Sequence, residues 1–168
     1  VKTIQVLDPS GNTKEARYGL VENNQTAVVE VAEAVGLNHV TPSRRTPWNF
    51  SSFGAGQLLR AALGEQITRI IIGTGGTATN DGGAGLLQGL GVRFLDRENN
   101  PLPQFLKPCD LISIRKAELT DLKKLLWGIS VEVGHDVDNP LLGRNGATSV
   151  FGPQKGIKVE EISQFESA

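Results

Sequence analysis

A glycine-rich stretch between Gly73 and Gly91 holds the residues whose types and spacing first suggest chemistry. Eight glycines lie there, after the apolar run 67–72 and around the next apolar segment. Glycine inside regular structure costs roughly 0.5–1 kcal/mol relative to alanine, so this density indicates either turns at positive φ or a close approach of the backbone to a ligand. A tight contact between a strand and the following helix is the alternative explanation.

The segment GTGGTATNDGG at 73–83 is typical of an anion-binding loop, because consecutive backbone amides after a strand can converge on a phosphate or carboxylate. We expect the amides of Gly75, Gly76 and Thr77 to form such a concave surface, and the N-terminus of the next helix to add its positive end. The side chains of Thr77, Thr79 and Asn80 are predicted to be further donors. The segment has neither the Gly-Lys-Ser/Thr of a P-loop nor the spacing of the dinucleotide fingerprint, so the motif alone leaves the anion unidentified.

Two carboxylates and two cations are candidates for chemistry at such a site. Asp81 stands where a helix is predicted to begin, so it could be a helix cap or a catalyst. Asp136 follows a predicted buried strand, where an unpaired carboxylate is costly unless it acts as a base, binds a metal or joins a hydrogen-bond network. Lys155 could neutralise a phosphate or be solvated at the surface. Arg45 could hold a carboxylate in a bidentate pair or be equally solvated.

The composition is that of an ordinary globular domain. The chain has 168 residues, 39% of them hydrophobic, and a formal net charge of −1. This is long enough for one domain with its own core, and it lacks the basic charge expected for binding nucleic acid or an anionic membrane. No run of eighteen apolar residues and no secretory signal is visible, and the single cysteine, Cys109, fits a reducing compartment. We therefore predict a cytoplasmic protein, and the absence of methionine makes us expect a fragment of a longer one.

Residue patterns predict a mixed α/β fold in which residues 1–168 form a single α/β domain with helices flanking one sheet. The Pro-Ser-Gly-Asn sequence at 9–12 indicates a hairpin, and 25–37 is typical of a strand that passes into a short helix ended by Gly36. A helix capped by Ser51 or Ser52 is expected over 51–65, and 67–72 is typical of a central strand buried on both faces. The other predicted elements are a helix over 83–91, a strand over 92–96, an amphipathic helix over 115–127, a strand over 127–136 and a Gly/Pro-rich loop over 137–156.

Three segments together resemble the glycerate kinase family of the bacterial type: VVEVAEAVGL, IIIGTGGTATNDGGAGLLQGLG and HDVDNPLLGRNGATSVFGPQKG. The resemblance covers nearly the whole chain. It implies two α/β domains, one inserted into the other, with this chain forming most of the inserted domain and the missing domain of the same chain as its partner. The sequence departs from the family pattern by having His135 for cysteine, Gln57 for glutamate, Thr77 for serine and Phe50-Ser51 for two threonines.

The resemblance implies transfer of the γ-phosphoryl group of ATP to a hydroxyl of D-glycerate, with 2-phosphoglycerate the favoured product and Mg²⁺ the metal. Such a transfer depends mainly on positioning and electrostatic stabilisation, with an acidic side chain receiving the hydroxyl proton. The matched motifs predict catalytic roles for Asp136 and Asp81, with Asp136 also a Mg²⁺ ligand. They predict substrate or phosphate binding by Glu30, Arg45, Ser52, Gly75, Gly76, Thr77, Thr79, Asn80, Asn139 and Lys155.

Two other classes of function stay open at this point. The chain could be a non-catalytic module that binds a small anion or phosphate, or a purely structural α/β domain that mediates oligomerisation. If it is a fragment of a kinase, the 168 residues alone are expected to show no kinase activity, because part of the site is missing. The sequence alone does not predict the oligomeric state.

Overall fold

The framework of the computed structural model, which describes residues 1–64 and 66–168, is a five-stranded sheet. The strands in chain order are β1 (Lys2–Leu7), β2 (Thr13–Val21), β3 (Thr26–Glu30), β4 (Arg69–Gly73), β5 (Arg93–Leu95), β6 (Lys116–Glu118) and β7 (Ser130–Gly134). The sheet has the order β1-β2-β3-β4-β7, and β5 and β6 form a separate antiparallel pair. β1, β2 and β3 are antiparallel to one another, whereas β3, β4 and β7 run parallel.

Six α-helices flank these strands in the described ranges, so the predicted mixed α/β fold is confirmed. They are α1 (Ala32–Val35), α2 (Phe53–Ala62), α3 (Ala84–Gly89), α4 (Thr120–Leu125), α5 (Ala147–Lys155) and α6 (Ile162–Ser167). Helix α2 packs across β1, β2 and β3 and buries Leu58 and Leu59 against Val29 and Ile70 in the main core. None of the helices described for residues 1–64 and 66–168 has the length and apolar character needed to cross a membrane.

The first turns of the chain form where the sequence predicts them. The side chain of Asp8 holds the β1–β2 hairpin turn, since its Oδ1 accepts hydrogen bonds from the amides of Ser10 (2.8 Å) and Asn12 (2.9 Å). β3 passes directly into α1, as expected. Gly36 is the C-cap of α1 as predicted, but it is extended (φ −67°) rather than in the left-handed conformation usual for a glycine cap. The helix ends there because the chain enters a 3₁₀ turn, Leu37–His39.

Three predictions of local structure need correction. Residues 115–127 are not one helix, because 116–118 form β6 in register with β5 and only Thr120–Leu125 is α-helical. The predicted loop over 137–156 contains α5, despite Pro153 in its interior. β7 is present, but all five of its residues are exposed rather than buried. The predicted helix over 51–65 is seen as Phe53–Ala62, and Glu65 lies outside the described residues.

Part of the glycine-rich stretch serves close packing between α2 and α3. A Cβ atom built on Gly89 would lie 2.8 Å from both the backbone nitrogen of Gln57 and the Cα of Gly56. A Cβ on Gly85 would lie 2.8 Å from the backbone nitrogen of Phe53. Backbone atoms cannot move aside as a side chain can, so the packing explanation holds for these two glycines.

We expect Gly89→Ala to lower the free energy of unfolding by about 1–3 kcal/mol, because the added methyl group overpacks the helix crossing. The matched control is Gly64→Ala, where a Cβ meets none of the described residues within 4 Å. Urea denaturation of both variants measures the difference. If Gly89→Ala lowered the free energy of unfolding no more than Gly64→Ala does, the two helices would be able to move apart at little cost.

Candidate functional site

The site is built at the edge where the parallel strands β3, β4 and β7 end. Glu30, Gly73 and Gly134 lie side by side in the strand register there. Carboxyl ends of parallel strands are where ligands bind in open α/β sheets. The residues from Thr74 to Gly83, here called the glycine loop, run from this edge to α3.

Two backbone hydrogen bonds hold the glycine loop to the last residue of α1 and to the turn that follows it. The amide of Leu37 donates to the Gly76 carbonyl (2.7 Å), and the amide of Ala78 donates to the Val35 carbonyl (2.9 Å). Within residues 1–64 and 66–168, the amides of Gly75, Gly76 and Thr77 make no hydrogen bond to protein. The loop is therefore fixed in place while three of its donors remain available to a ligand.

The glycines of this loop do not serve packing. Cβ atoms built on Gly75, Gly76, Gly82 and Gly83 would meet no atom of the described chain within 4 Å, and Gly76 has a φ of +68°. Both explanations of the glycine-rich stretch are thus right, for different residues. Glycines inside α3 allow a close helix contact, and those in the loop leave the backbone open.

Asp81 is buried and acts as the cap of α3. Its Oδ2 accepts hydrogen bonds from the Ser52 amide (2.7 Å), the Ser52 hydroxyl (2.8 Å) and the Gly85 amide (3.3 Å), while its Oδ1 accepts one from Gly83. The Ser52 hydroxyl in turn accepts a hydrogen bond from the Leu86 amide. The expected contribution of this helix N-terminus to anion binding is therefore wrong, because its amides are already paired. Ser52 caps α3 rather than the helix that follows it in sequence.

Lys155 is the last residue of α5, not part of a loop as predicted. Its Nζ donates to the Thr79 carbonyl (2.7 Å) and to Thr77 Oγ1 (3.3 Å), so the ammonium group lies against the glycine loop. Burial lowers the pKa of Lys155, and the charge of Asp81 offsets that shift only in part. Among the described residues no carboxylate forms a salt bridge with Lys155. A desolvated cation bonded only to neutral oxygens favours binding of an anion.

A cleft of about 560 Å³ lies between the glycine loop and the α5–α6 segment. Half of the predicted site residues line it, namely Ser52, Thr77, Thr79, Asn80, Asp81 and Lys155. Sequence reasoning missed Thr148, which is buried in the cleft wall and accepts a hydrogen bond from Asn80 Nδ2 (3.1 Å). The only local feature of the sequence that could have indicated Thr148 is its position two residues after Gly146, in the segment predicted to be a loop.

The other predicted site residues do not line the cleft. Gly75 and Gly76 are exposed above it on the glycine loop. Arg45 donates from Nη1 to the carbonyl of Gln154 (2.7 Å), so its guanidinium group lies at the C-terminus of α5, where a positive charge is favourable. The Glu30 carboxylate lies over Gly73, and Asn139 Nδ2 donates to the Asn145 carbonyl (2.9 Å).

Asp136 follows β7 and is exposed. The burial argument for its role is therefore wrong for this structure, because β7 is exposed along its whole length. In residues 1–64 and 66–168 no group of three or more His, Cys, Asp or Glu side chains could hold a metal ion. A lone carboxylate is still compatible with Mg²⁺, which is commonly held by one or two carboxylates together with substrate phosphates.

Comparison with known proteins identifies relatives over the whole chain. The family model described as the glycerate kinase family matches residues 1–168. A glycerate kinase of Bacillus subtilis is 44% identical over 96% of this chain and 42% of its own length. The glycerate kinase of Halalkalibacterium halodurans is 42% identical over 98% of this chain and 43% of its own. Glycerate 2-kinase of Escherichia coli is 38% identical over 96% of this chain and 42% of its own.

A solved structure shares the fold as well. The crystal structure of a protein from Salmonella typhimurium LT2, described as a glycerate kinase 2, superimposes with a TM-score of 0.91 at 41% sequence identity. The match covers 99% of this chain and 44% of the other. The chain thus spans less than half the length of the relatives that it matches.

Proposed function

This chain belongs to the glycerate kinase family, and we propose that it is one part of a longer ATP-dependent glycerate kinase. The proposed reaction transfers the γ-phosphoryl group of ATP to a hydroxyl of D-glycerate, with 2-phosphoglycerate the favoured product and the cytoplasm the location. Among the relatives, glycerate 2-kinase of Escherichia coli has a name that states this position of phosphorylation. The 168 residues are proposed to form a single α/β domain that completes its active site with the rest of the protein.

The observation that carries this proposal is the cation at the glycine loop. Lys155 Nζ lies 3.3 Å from Thr77 Oγ1, and the amide of Thr77 and those of the two preceding glycines are unpaired in the described chain. An ammonium group and several free amides at one place suit an anion that bears several oxygens. Both the phosphates of ATP and the carboxylate of glycerate fit this description.

The residues present fit a phosphoryl-transfer site of this kind. ATP with Mg²⁺ would supply the phosphoryl group and neutralise part of its charge. Lys155 and the amides of Gly75, Gly76 and Thr77 are proposed to bind and orient phosphate oxygens, and the hydroxyl of Thr77 to add a donor. The loop backbone is held by the hydrogen bonds of Leu37 and Ala78, and donors fixed in this way are effective for charge that develops in the transition state.

Asp136 and Asp81 are proposed to have different roles. Asp136 is exposed and makes no hydrogen bond in the described structure, so its carboxylate is able to accept the hydroxyl proton of glycerate or to hold Mg²⁺. Both carboxylate oxygens of Asp81 already accept hydrogen bonds from Ser52, Gly83 and Gly85. We therefore assign Asp81 a positioning role, in which it holds the end of the glycine loop, rather than the catalytic role expected from the sequence.

The test is an assay of the complete protein encoded by the whole reading frame. Glycerate-dependent consumption of ATP, followed by phosphorus NMR of the product, would support the proposal and distinguish 2- from 3-phosphoglycerate. Phosphate or glycerate binding without any turnover would instead support the non-catalytic anion-binding module. The purified 168 residues are expected to show no turnover by themselves.

We expect Gly76→Ala to reduce kcat/KM of the complete protein severely, because a methyl group would push the anion away from the loop amides. Loss of one well-placed donor costs roughly 2.7–4 kcal/mol of transition-state stabilisation. Stability should fall by only about 1–2 kcal/mol, the cost of a left-handed backbone for alanine. Gly128→Ala is the matched control, because Gly128 also has positive φ (+74°) and open space around its Cβ position.

Thermal unfolding and steady-state kinetics of the two variants separate the effects. Both should lose a similar amount of stability, and only Gly76→Ala should lose activity. A fully active Gly76→Ala protein would mean that the loop is only a turn and that the ligand binds elsewhere.

A further inference from the structure

β7 is an edge strand whose outer side has no partner in the described structure. On its inner side it pairs with β4, placing Val131 opposite Ile70 and Val133 opposite Ile72. Ile70 is 1% exposed and belongs to the main core, whereas Val131 and Val133 are 45% and 53% exposed. Neighbouring positions on one face of a sheet share their surroundings, so the core layer stops abruptly at β7.

Exposed apolar side chains are concentrated around this strand. Twelve large hydrophobic residues are exposed in the described part of the chain, and six of them lie within residues 127–142. These are Trp127, Val131, Val133, Val137, Leu141 and Leu142. So many exposed apolar residues in one segment are more typical of an interface than of a surface facing water, although Leu141 and Leu142 also line the cleft.

The edge also lacks the usual protection against pairing with another strand. Natural edge strands carry lysine, proline, bulges or outward charges. The sequence of β7 is Ser-Val-Glu-Val-Gly, and its only charge, Glu132, is held by Arg69 of β4 in a bidentate pair of 2.7 and 2.8 Å. This ion pair directs the charge of Glu132 toward β4, so no charge on the outer edge of β7 opposes pairing with another strand.

We propose that β7 is an interior strand of the complete protein, paired on its outer side with a strand from the region outside these 168 residues. This inference rests on the proposed function only in assuming a longer protein, since relatives of this family are more than twice as long as the match. A strand of the same chain is favoured over a second copy because a covalent link gives it a high effective concentration. Apolar side chains of the same region would pack on the sheet face over Val131 and Val133.

The arrangement would also enclose the region of Asp136. Asp136 lies two residues beyond the end of β7, at the same sheet edge as the glycine loop. Covering β7 would place protein from the rest of the chain beside this carboxylate, which is exposed in the described structure. Asp136 would then be exposed in these 168 residues by themselves but enclosed in the complete protein.

Hydrogen exchange of the complete wild-type protein tests the proposal without relying on activity. The Ser130 amide donates inward to the Thr68 carbonyl, so the alternate amides of Val131 and Val133 face the outer edge of β7. These two amides are expected to exchange at least ~100-fold more slowly than in an unstructured peptide, because an outer strand would accept their hydrogen bonds. The protection should not depend on protein concentration. Fast exchange of the Val131 and Val133 amides, or protection that disappears on dilution as a dimer dissociates, would overturn it.

A pair of variants gives a second measurement. Val133→Asp in the complete protein should lower the Tm by roughly 4 °C or more, because it places a charge in a buried layer. Val159→Asp is the control, because Val159 is 76% exposed and distant from β7 in sequence. Equal Tm values for the two variants would contradict the proposal, whatever the outcome of the glycerate kinase assay.

Discussion

Lys155→Met in the complete protein is expected to lower kcat/KM for phosphoryl transfer by roughly 10²–10³-fold, equivalent to about 2.7–4 kcal/mol of transition-state stabilisation. The ammonium group lies against Thr77 and Thr79 of the glycine loop and has no carboxylate partner in the described chain. Methionine has a similar length and no charge, so it retains the packing of the stem and removes the attraction for phosphate. Steady-state kinetics with varied ATP measures the loss.

Stability should change much less than activity, because the lost hydrogen bonds of Lys155 are offset by removal of a buried charge. Burial lowers the pKa of Lys155 in the folded protein, so the folded state holds this proton less tightly than the unfolded state. Below the folded-state pKa the buried charge therefore costs stability, and this cost disappears as the pH rises from the folded pKa to the unfolded value near 10.5. We expect the free energy of unfolding of Lys155→Met at pH 7 to fall by no more than about 1 kcal/mol, from the two lost hydrogen bonds.

Lys158→Met is the matched control for this experiment. Lys158 is exposed, and it lies three residues from Lys155. Its replacement should change neither kinetics nor unfolding. The wild-type activity should also decline on the alkaline side at a pH below the usual pKa of lysine, since phosphate binding needs the ammonium form. An active Lys155→Met protein would remove Lys155 from the proposed site.

Asp81→Asn is expected to lower the free energy of unfolding by about 3 kcal/mol, because it breaks a buried hydrogen-bonded cluster around a charged acceptor. Three amides and the Ser52 hydroxyl donate to this carboxylate. The amide group of asparagine offers one oxygen, and its NH₂ would face donors instead of acceptors. Urea denaturation measures the loss.

Asp138→Asn provides the control for the change from acid to amide, because Asp138 is exposed. It should alter the free energy of unfolding by less than about 0.5 kcal/mol. If Asp81→Asn were equally mild and yet abolished turnover, Asp81 would be a catalytic residue after all and not the cap that holds the glycine loop.

Local features of the sequence determined several parts of this protein without tertiary information. The turn at 9–12 depends on Asp8, Pro9 and Gly11, which act within a few residues of one another. The apolar run of Ile70, Ile71 and Ile72 is strand-forming because its side chains are β-branched, and the strand lies inside the sheet. The family resemblance, carried by the three segments together, is confirmed by the family model over 1–168.

Tertiary structure decided the features that depend on residues far apart in the chain. Asp81 is a cap because Ser52, 29 residues earlier, lies beside it, and Lys155 reaches the cleft because a helix forms in a segment rich in glycine and proline. Residues 116–118 join a strand pair because β5, more than twenty residues earlier, supplies the partner. The burial of a strand depends likewise on what packs beside it, so no pattern within Ser130–Gly134 could have revealed that β7 is exposed here.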